Sequence, residues 1–249
     1  LDVYQKIIDE VSKYSIEVKS KEIELFHFGE SLLHPRLYEM VGYGSSHDLR
    51  ITLSVNPPQL KPELSEKILQ NFPFKIILSL DAADEEIYKK IRGKNADFSK
   101  AVSNINYLLK AMDQIKNKPK IVIRMIKFKI NQQKEELFRK QWSDKGIEVE
   151  IRQFFPWSEV EMVKLGNYEK LPPCMPCPFP WQYMVIQWNG DVVPCCRDYN
   201  AINKIANIRE KTLKEIGNGE EYNKFRKIFA NKMYKQNSIC SPCMKIYST

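Results

Sequence analysis

The sequence predicts an α/β fold in two parts, on three observations. Strand and helix patterns alternate from Ile23 to Phe155 with little interruption. A Pro-rich stretch without periodicity then breaks the alternation. All six cysteines lie after Pro156, where that stretch begins, several at CxxC and CC spacings. Five strands separated by helices imply a parallel sheet with right-handed crossovers, either open or curved into a barrel. A missing N-terminal strand would make six, so that the barrel expected is a partial (β/α)6-type one. The cysteine-bearing remainder reads as a small β-hairpin/α metal-binding domain. The division falls at Pro156, giving 1–156 and 157–249.

The chain opens in a helix, Leu1–Lys13, with Val3, Tyr4, Ile7, Ile8 and Val11 on one face. That face needs a partner and no strand precedes it, so a segment upstream of Leu1 is expected. Ile23–Phe28 reads as a buried strand, with His27 a core histidine, followed by a helix over Pro35–Tyr43. Leu49–Val55 and Pro62–Asn71 form the next strand and helix. Lys75–Leu80 is a strand, and Asp84–Arg92 and Phe98–Met112 are helices, the second capped by Asp97. Ile121–Lys127 and Val149–Phe155 are strands around a helix at Glu135–Trp142. Pro156–Pro180, containing PPCMPCPFP, is a linker. Tyr183–Trp188 and Asp191–Pro194 form a hairpin on an Asn189-Gly190 turn, and a helix spans Glu220–Tyr234.

Composition narrows the classes. The 39 Lys and Arg against 31 Asp and Glu leave a net charge of +8, spread over helix faces rather than gathered in one block, and no nucleic-acid motif accompanies it. No apolar run approaches the roughly 20 residues that span a bilayer. No membrane or nucleic-acid partner is expected, and the location expected is the cytoplasm. Cysteines clustered in the last third of 249 residues favour metal binding over disulfides.

Cys177, Gly190 and Cys195 follow a C-x(12)-G-x(4)-C pattern, and Cys240 and Cys243 stand in CSPC. Four thiolates suit a [4Fe–4S] cluster or a structural zinc. Cys174 offers an alternative CxxC with Cys177, and Cys196 is surplus to a set of four. Upstream, three successive strand ends carry small or polar groups: Gly29 and Glu30 in FHFGESLLHP, Asn56 in LSVNP, and Ser79 and Asp81 in LSLDAADEEIYKKIRG, with Arg92 nearby. Such convergence builds a ligand site at one mouth of a barrel.

Taken in order, these pieces resemble radical S-adenosylmethionine (radical SAM) enzymes with a C-terminal SPASM or twitch extension, over nearly the whole chain. The resemblance implies that Gly29 and Glu30 hold the methionyl amine, that Ser79 and Arg92 contact ribose and carboxylate, and that Asn56 and Asp81 line the same site. Met125 is either a neighbour of the adenine or core packing. The resemblance also implies an auxiliary [4Fe–4S] cluster on Cys177, Cys195, Cys240 and Cys243. Arg197, directly after them, is the candidate substrate contact, or else a surface residue paired with Asp198. The family's CxxxCxxC loop is absent from these residues, so the catalytic cluster is expected on a segment upstream of Leu1. Ser31 replaces the usual proline of GEP.

The activity implied is an oxidoreductase in which a 5′-deoxyadenosyl radical abstracts hydrogen and the auxiliary cluster accepts an electron. Sugar or aminocyclitol dehydrogenases are the nearest class, and the peptide maturases the alternative. Implied partners are a small-molecule or peptide substrate and a reductant such as flavodoxin or ferredoxin. A non-catalytic barrel scaffold and a zinc-stabilised binding protein complete the alternatives.

Overall fold

A computed structural model of the chain describes residues 1–14, 22–155, 177–231 and 233–244. They divide into two compact units, one over 22–155 and one made of 1–14 with the residues from 177 onward.

In the first unit five strands lie side by side in sequence order, all parallel: β1 (Glu22–Glu24), β2 (Arg50–Val55), β3 (Lys75–Ser79), β4 (Lys120–Lys127) and β5 (Glu148–Gln153). Helices connect them, as a parallel sheet requires: α2 (Leu37–Ser46), α3 (Pro62–Gln70), α4 (Glu85–Arg92), α5 (Phe98–Met112) and α6 (Glu135–Ser143). This is the sheet of a partial (β/α)6 barrel. Asp84 and Asp97 cap α4 and α5, accepting from the amides of Ile87 and Lys100. Each such cap is worth about 1 kcal/mol.

Register explains why the strands alternate. Ile51, Leu53, Val55, Ile76, Leu78, Ile121, Ile123 and Met125 share one face and are buried. Thr52, Ser54, Ser79, Arg124, Glu150 and Arg152 project from the other. Met125 is therefore core packing on the apolar face. Arg124 and Arg152 both lie on the polar face, where each pairs with Glu150. The first strand is shorter than its apolar run: only Glu22–Glu24 pairs with β2, and His27 is exposed against the edge of Phe28 rather than part of the core.

In the second unit the hairpin forms with shorter strands than expected, β6 (Val185–Ile186) and β7 (Asp191–Val193), and gains a third, β8 (Ala206–Asn207). Gly190 turns between them at φ +91, and a Cβ there would lie 2.9 Å from Asn207 Oδ1. Glycine is required on both counts. A short helix at Leu213–Asn218 opens on a capping box between Thr212 and Glu215. The next, Glu220–Ala230, stops four residues short of Tyr234, and a separate 3-10 turn covers Met233–Gln236.

The opening helix, α1 (Asp2–Lys13), finds its partner here. Val3 and Ile7 pack against Val192, Ile208, Ile216 and Tyr222. Lys6 donates to the Ile208 carbonyl at 2.5 Å, and Glu10 accepts from the Leu213 amide at 2.6 Å. The boundary at Pro156 assigns α1 to the barrel; within the structure its apolar face packs in the cysteine-bearing unit. Among the described residues no helix is long and apolar enough to cross a membrane.

Candidate functional site

The strand ends of the barrel unit assemble one polar site. Gly29 adopts φ +92 with open space where a Cβ would stand, so glycine serves the backbone turn there rather than a tight fit. Glu30 follows, with Oε1 accepting from the Leu32 amide at 3.0 Å and Oε2 from the Asn56 amide at 2.8 Å. One carboxylate thus ties the end of β1 to the end of β2. Each carboxylate oxygen keeps a further lone pair for a ligand cation. Burial lifts the Glu30 carboxyl above its usual range, and the two amides offset this only in part. The Asn56 side-chain oxygen is buried with no hydrogen-bond partner among the described residues. Just beyond Asn56, the buried Asn104 of α5 donates to the carbonyls of Pro57 and Pro58 at 3.0 and 3.3 Å, fixing the turn. Ser54 and Ser79 place their hydroxyls 3.5 Å apart on the polar face.

Arg92 reaches back from α4 to the end of β3. Its Nη2 donates to Asp81 Oδ2 at 2.6 Å and to the Ser79 carbonyl at 3.1 Å. Asp81 itself is buried at φ +62, a left-handed conformation uncommon outside glycine. Its other oxygen accepts from the Ile126 amide at 2.7 Å. Burial pushes the Asp81 carboxyl up, against the pull of Arg92 and that amide. Asn131, fully buried, completes the brace: its amide donates to the carbonyls of Asp81 and Ile126, both at 2.8 Å, and its oxygen accepts from the Phe128 amide at 2.7 Å. Asp81 is thereby occupied in holding Arg92, while the remaining guanidinium donors of Arg92 are available to a ligand carboxylate. Nothing in the local sequence around Asn131 marked it; its role follows from the non-local closure of two strand ends.

The second unit gathers thiols. Cys177 and Cys240 pack with Phe225 and Phe229. Cys195 and Cys196 share a hydrogen bond, which together with burial drives the Cys195 thiol up; the same bond, against burial, draws the Cys196 thiol down. The Cys240 thiol is pushed up to about 12, by burial first and then by the nearby Cys195, Cys243 and Cys177. Five thiols therefore share one neighbourhood, in which Cys195 and Cys240 resist carrying charge unaided. Cys174 lies outside the described residues. Arg197 is buried rather than at the surface; its amide donates to Cys195 Sγ at 3.3 Å. Asp198, fully buried, accepts from the amides of Ile202 and Asn203 at 2.8 and 2.7 Å.

The donor chemistry fits an iron–sulfur cluster. A thiolate set is stabilised when a cationic centre replaces its protons. The strand-end site likewise fits S-adenosylmethionine: it offers an anion for an amine, an arginine for a carboxylate, hydroxyls for a ribose, and one orphaned buried acceptor.

The Radical SAM superfamily profile matches residues 2–139, and that of the SPASM iron-sulfur cluster-binding domain matches 174–244. The chain belongs to the radical SAM superfamily and is an enzyme of that class, with S-adenosylmethionine and a [4Fe–4S] cluster as cofactors. Among curated proteins it is similar to the AdoMet-dependent heme synthase of Methanosarcina barkeri, 32% identical over 41% of this chain; the match spans only 30% of that protein's length. It is also similar to the tungsten-containing aldehyde ferredoxin oxidoreductase cofactor-modifying protein of Pyrococcus furiosus, 22% identical over 96% of this chain and 78% of the other. The fold matches the solved structure of BtrN in complex with AdoMet and 2-DOIA at a TM-score of 0.57, with 17% identity over 96% of this chain and 77% of that one.

Proposed function

We propose that the protein is a radical SAM dehydrogenase acting on a small, polar, hydroxyl- and amine-bearing substrate. The observation that carries this reading is the polar face of the sheet. Ser54, Arg124, Glu150 and Arg152 offer a hydroxyl and both signs of charge on the face from which Ser79 also projects. Alternating donors and acceptors of that kind suit an aminocyclitol or amino sugar, whose hydroxyls need partners once water is excluded.

Glu30 would hold the cofactor's ammonium, Arg92 its carboxylate, and Ser79 its ribose, with Gly29, Asn56 and Asp81 shaping the site around them. Cys177, Cys195, Cys240 and Cys243 would hold the auxiliary cluster, and Arg197 beside them would contact the substrate. When bound, S-adenosylmethionine would supply a 5′-deoxyadenosyl radical as hydrogen-atom acceptor and the auxiliary cluster a one-electron acceptor, so that a substrate carbinol losing its carbon-bound hydrogen atom, one electron and its hydroxyl proton to solvent would become a ketone. The chain's six cysteines all lie from Cys174 onward, so in this reading the cluster that initiates the radical is bound outside these residues. The protein's part is to hold substrate and cofactor in contact while excluding water. Flavodoxin or ferredoxin would supply the initiating electron.

The test is anaerobic turnover of full-length, cluster-loaded enzyme with a panel of aminocyclitols and amino sugars deuterated at carbon. Deuterium appearing in 5′-deoxyadenosine, with one ketone formed per cofactor consumed, is the expected outcome. Modification of a peptide substrate instead would move the reading to a maturase. Absence of cofactor cleavage by the loaded protein would leave a scaffold.

A further inference from the structure

Two half-buried asparagines, Asn203 and Asn237, link the segment after Cys195 to the one that carries Cys240. Asp198, three residues after Cys195, accepts from the backbone amide of Asn203 at 2.7 Å and so fixes where Asn203 sits. The Asn203 side-chain oxygen accepts from Asn237 Nδ2 at 2.9 Å. Asn237 in turn accepts, through its own oxygen, from the amides of Ile239 and Cys240 at 3.0 and 3.1 Å, at the start of the helix that carries Cys240 and Cys243. Asn203 is therefore bracketed by both cysteine segments. Yet its Nδ2 is buried and has no hydrogen-bond partner among the described residues.

A buried donor left unmade costs about 1–3 kcal/mol. The Asn237 bond fixes the orientation of the Asn203 carboxamide, so its N–H groups cannot exchange roles with the oxygen without breaking that bond. The Asp198 carboxylate beside it already accepts from two backbone amides, and the segments that bracket Asn203 carry Cys195 and Cys240, whose thiols lie near one another. We propose that the Asn203 side-chain amide donates a hydrogen bond to a sulfur of the auxiliary cluster or of its cysteine ligands, and so raises the cluster's reduction potential. This rests on the reading of Cys177, Cys195, Cys240 and Cys243 as cluster ligands. A donor to sulfur stabilises the reduced, more negative cluster over the oxidised one, and hydrogen bonds to the sulfurs are among the levers that set such potentials. A more positive potential suits an electron acceptor for a substrate radical.

The experiment is an EPR-monitored redox titration of full-length, iron-loaded protein, following the signal that disappears in Cys240→Ala. Asn203→Leu removes the donor without adding charge. It is expected to keep the wild-type iron content while shifting the one-electron equilibrium up to about tenfold toward the oxidised cluster, a fall of up to about 59 mV. Asn203→Asp keeps the acceptor for Asn237 and is expected to shift the equilibrium further the same way. An unchanged potential in Asn203→Leu with full iron content overturns the proposal. Should either variant fail to load, wild-type protein carrying 15N in its asparagine side chains decides the matter: a 15N hyperfine coupling to the auxiliary cluster supports it, and its absence overturns it. Iron content in the wild type reports separately on the cluster reading, since protein lacking the Cys240-dependent signal would fail that reading before Asn203 is tested.

Discussion

The strand-end site and the thiol centre solve the same problem, holding a charged cofactor, in opposite ways. At the strand ends nearly every polar group already has a protein partner. Glu30 is satisfied by two amides, and Asp81 by Arg92 and Ile126. At the thiol centre the functional groups crowd one another, and Cys195 and Cys240 hold their protons well above the ordinary thiol range. A site completed by its own backbone keeps its shape without a ligand. One whose donors repel each other when charged needs a cation among them to hold them as thiolates. The barrel site is preorganised, and the thiol centre is expected to depend on its metal.

The sharpest way to break this contrast is to remove the metal. Metal-free protein is expected to lose amide hydrogen-exchange protection across 185–193 and 220–230, while β2–β4 keep theirs. Loss of protection in both units together would dissolve the distinction. Next in size, Arg92→Ala is expected to weaken S-adenosylmethionine binding roughly 10–100-fold by calorimetry, because it removes a charge-assisted pair worth about 1.5–3 kcal/mol. Asn131→Ala, which leaves Arg92 in place but loosens Asp81, is expected to weaken the same binding by a smaller factor.

Much of the barrel was legible because each strand end carries its own local signal. Gly29-Glu30, Asn56, Ser79 and Asp81 all sit where an apolar run stops, and the caps at Asp84 and Asp97 stand just before helical periodicity. What escaped was the bracing by single amides from distant segments. Asn104 and Asn131 look like unremarkable polar residues until the turn they close is seen. The partner of α1 escaped for the same reason. Its apolar face was plain, but the cluster that covers it lies some 190 residues away in the chain, at Val192 and beyond. His27 misled because it follows apolar residues that leave the sheet after Glu24.

Smaller effects refine the contrast. Burial raises the Glu30 carboxyl, and protonation removes the charge that would hold the cofactor's ammonium. Cofactor affinity is therefore expected to persist at neutral pH and to fall as pH drops through a value above the usual glutamate range, with Glu30→Gln flattening the profile. In the other unit, Gly190→Ala is expected to cost about 1–3 kcal/mol in denaturant titration, through a positive φ and a Cβ clash with Asn207. Thr212→Ala, which opens the capping box, is expected to cost about 1 kcal/mol.

The central claim is that Cys177, Cys195, Cys240 and Cys243 carry an iron–sulfur cluster additional to the one that starts the radical. Its most direct test is iron and sulfide content, with Mössbauer spectra, of anaerobically reconstituted full-length protein beside its four-cysteine alanine variant. The account predicts a difference of about four irons per chain, with cofactor cleavage retained by the variant. Equal iron in the two proteins, or one zinc lost in place of iron, would contradict it.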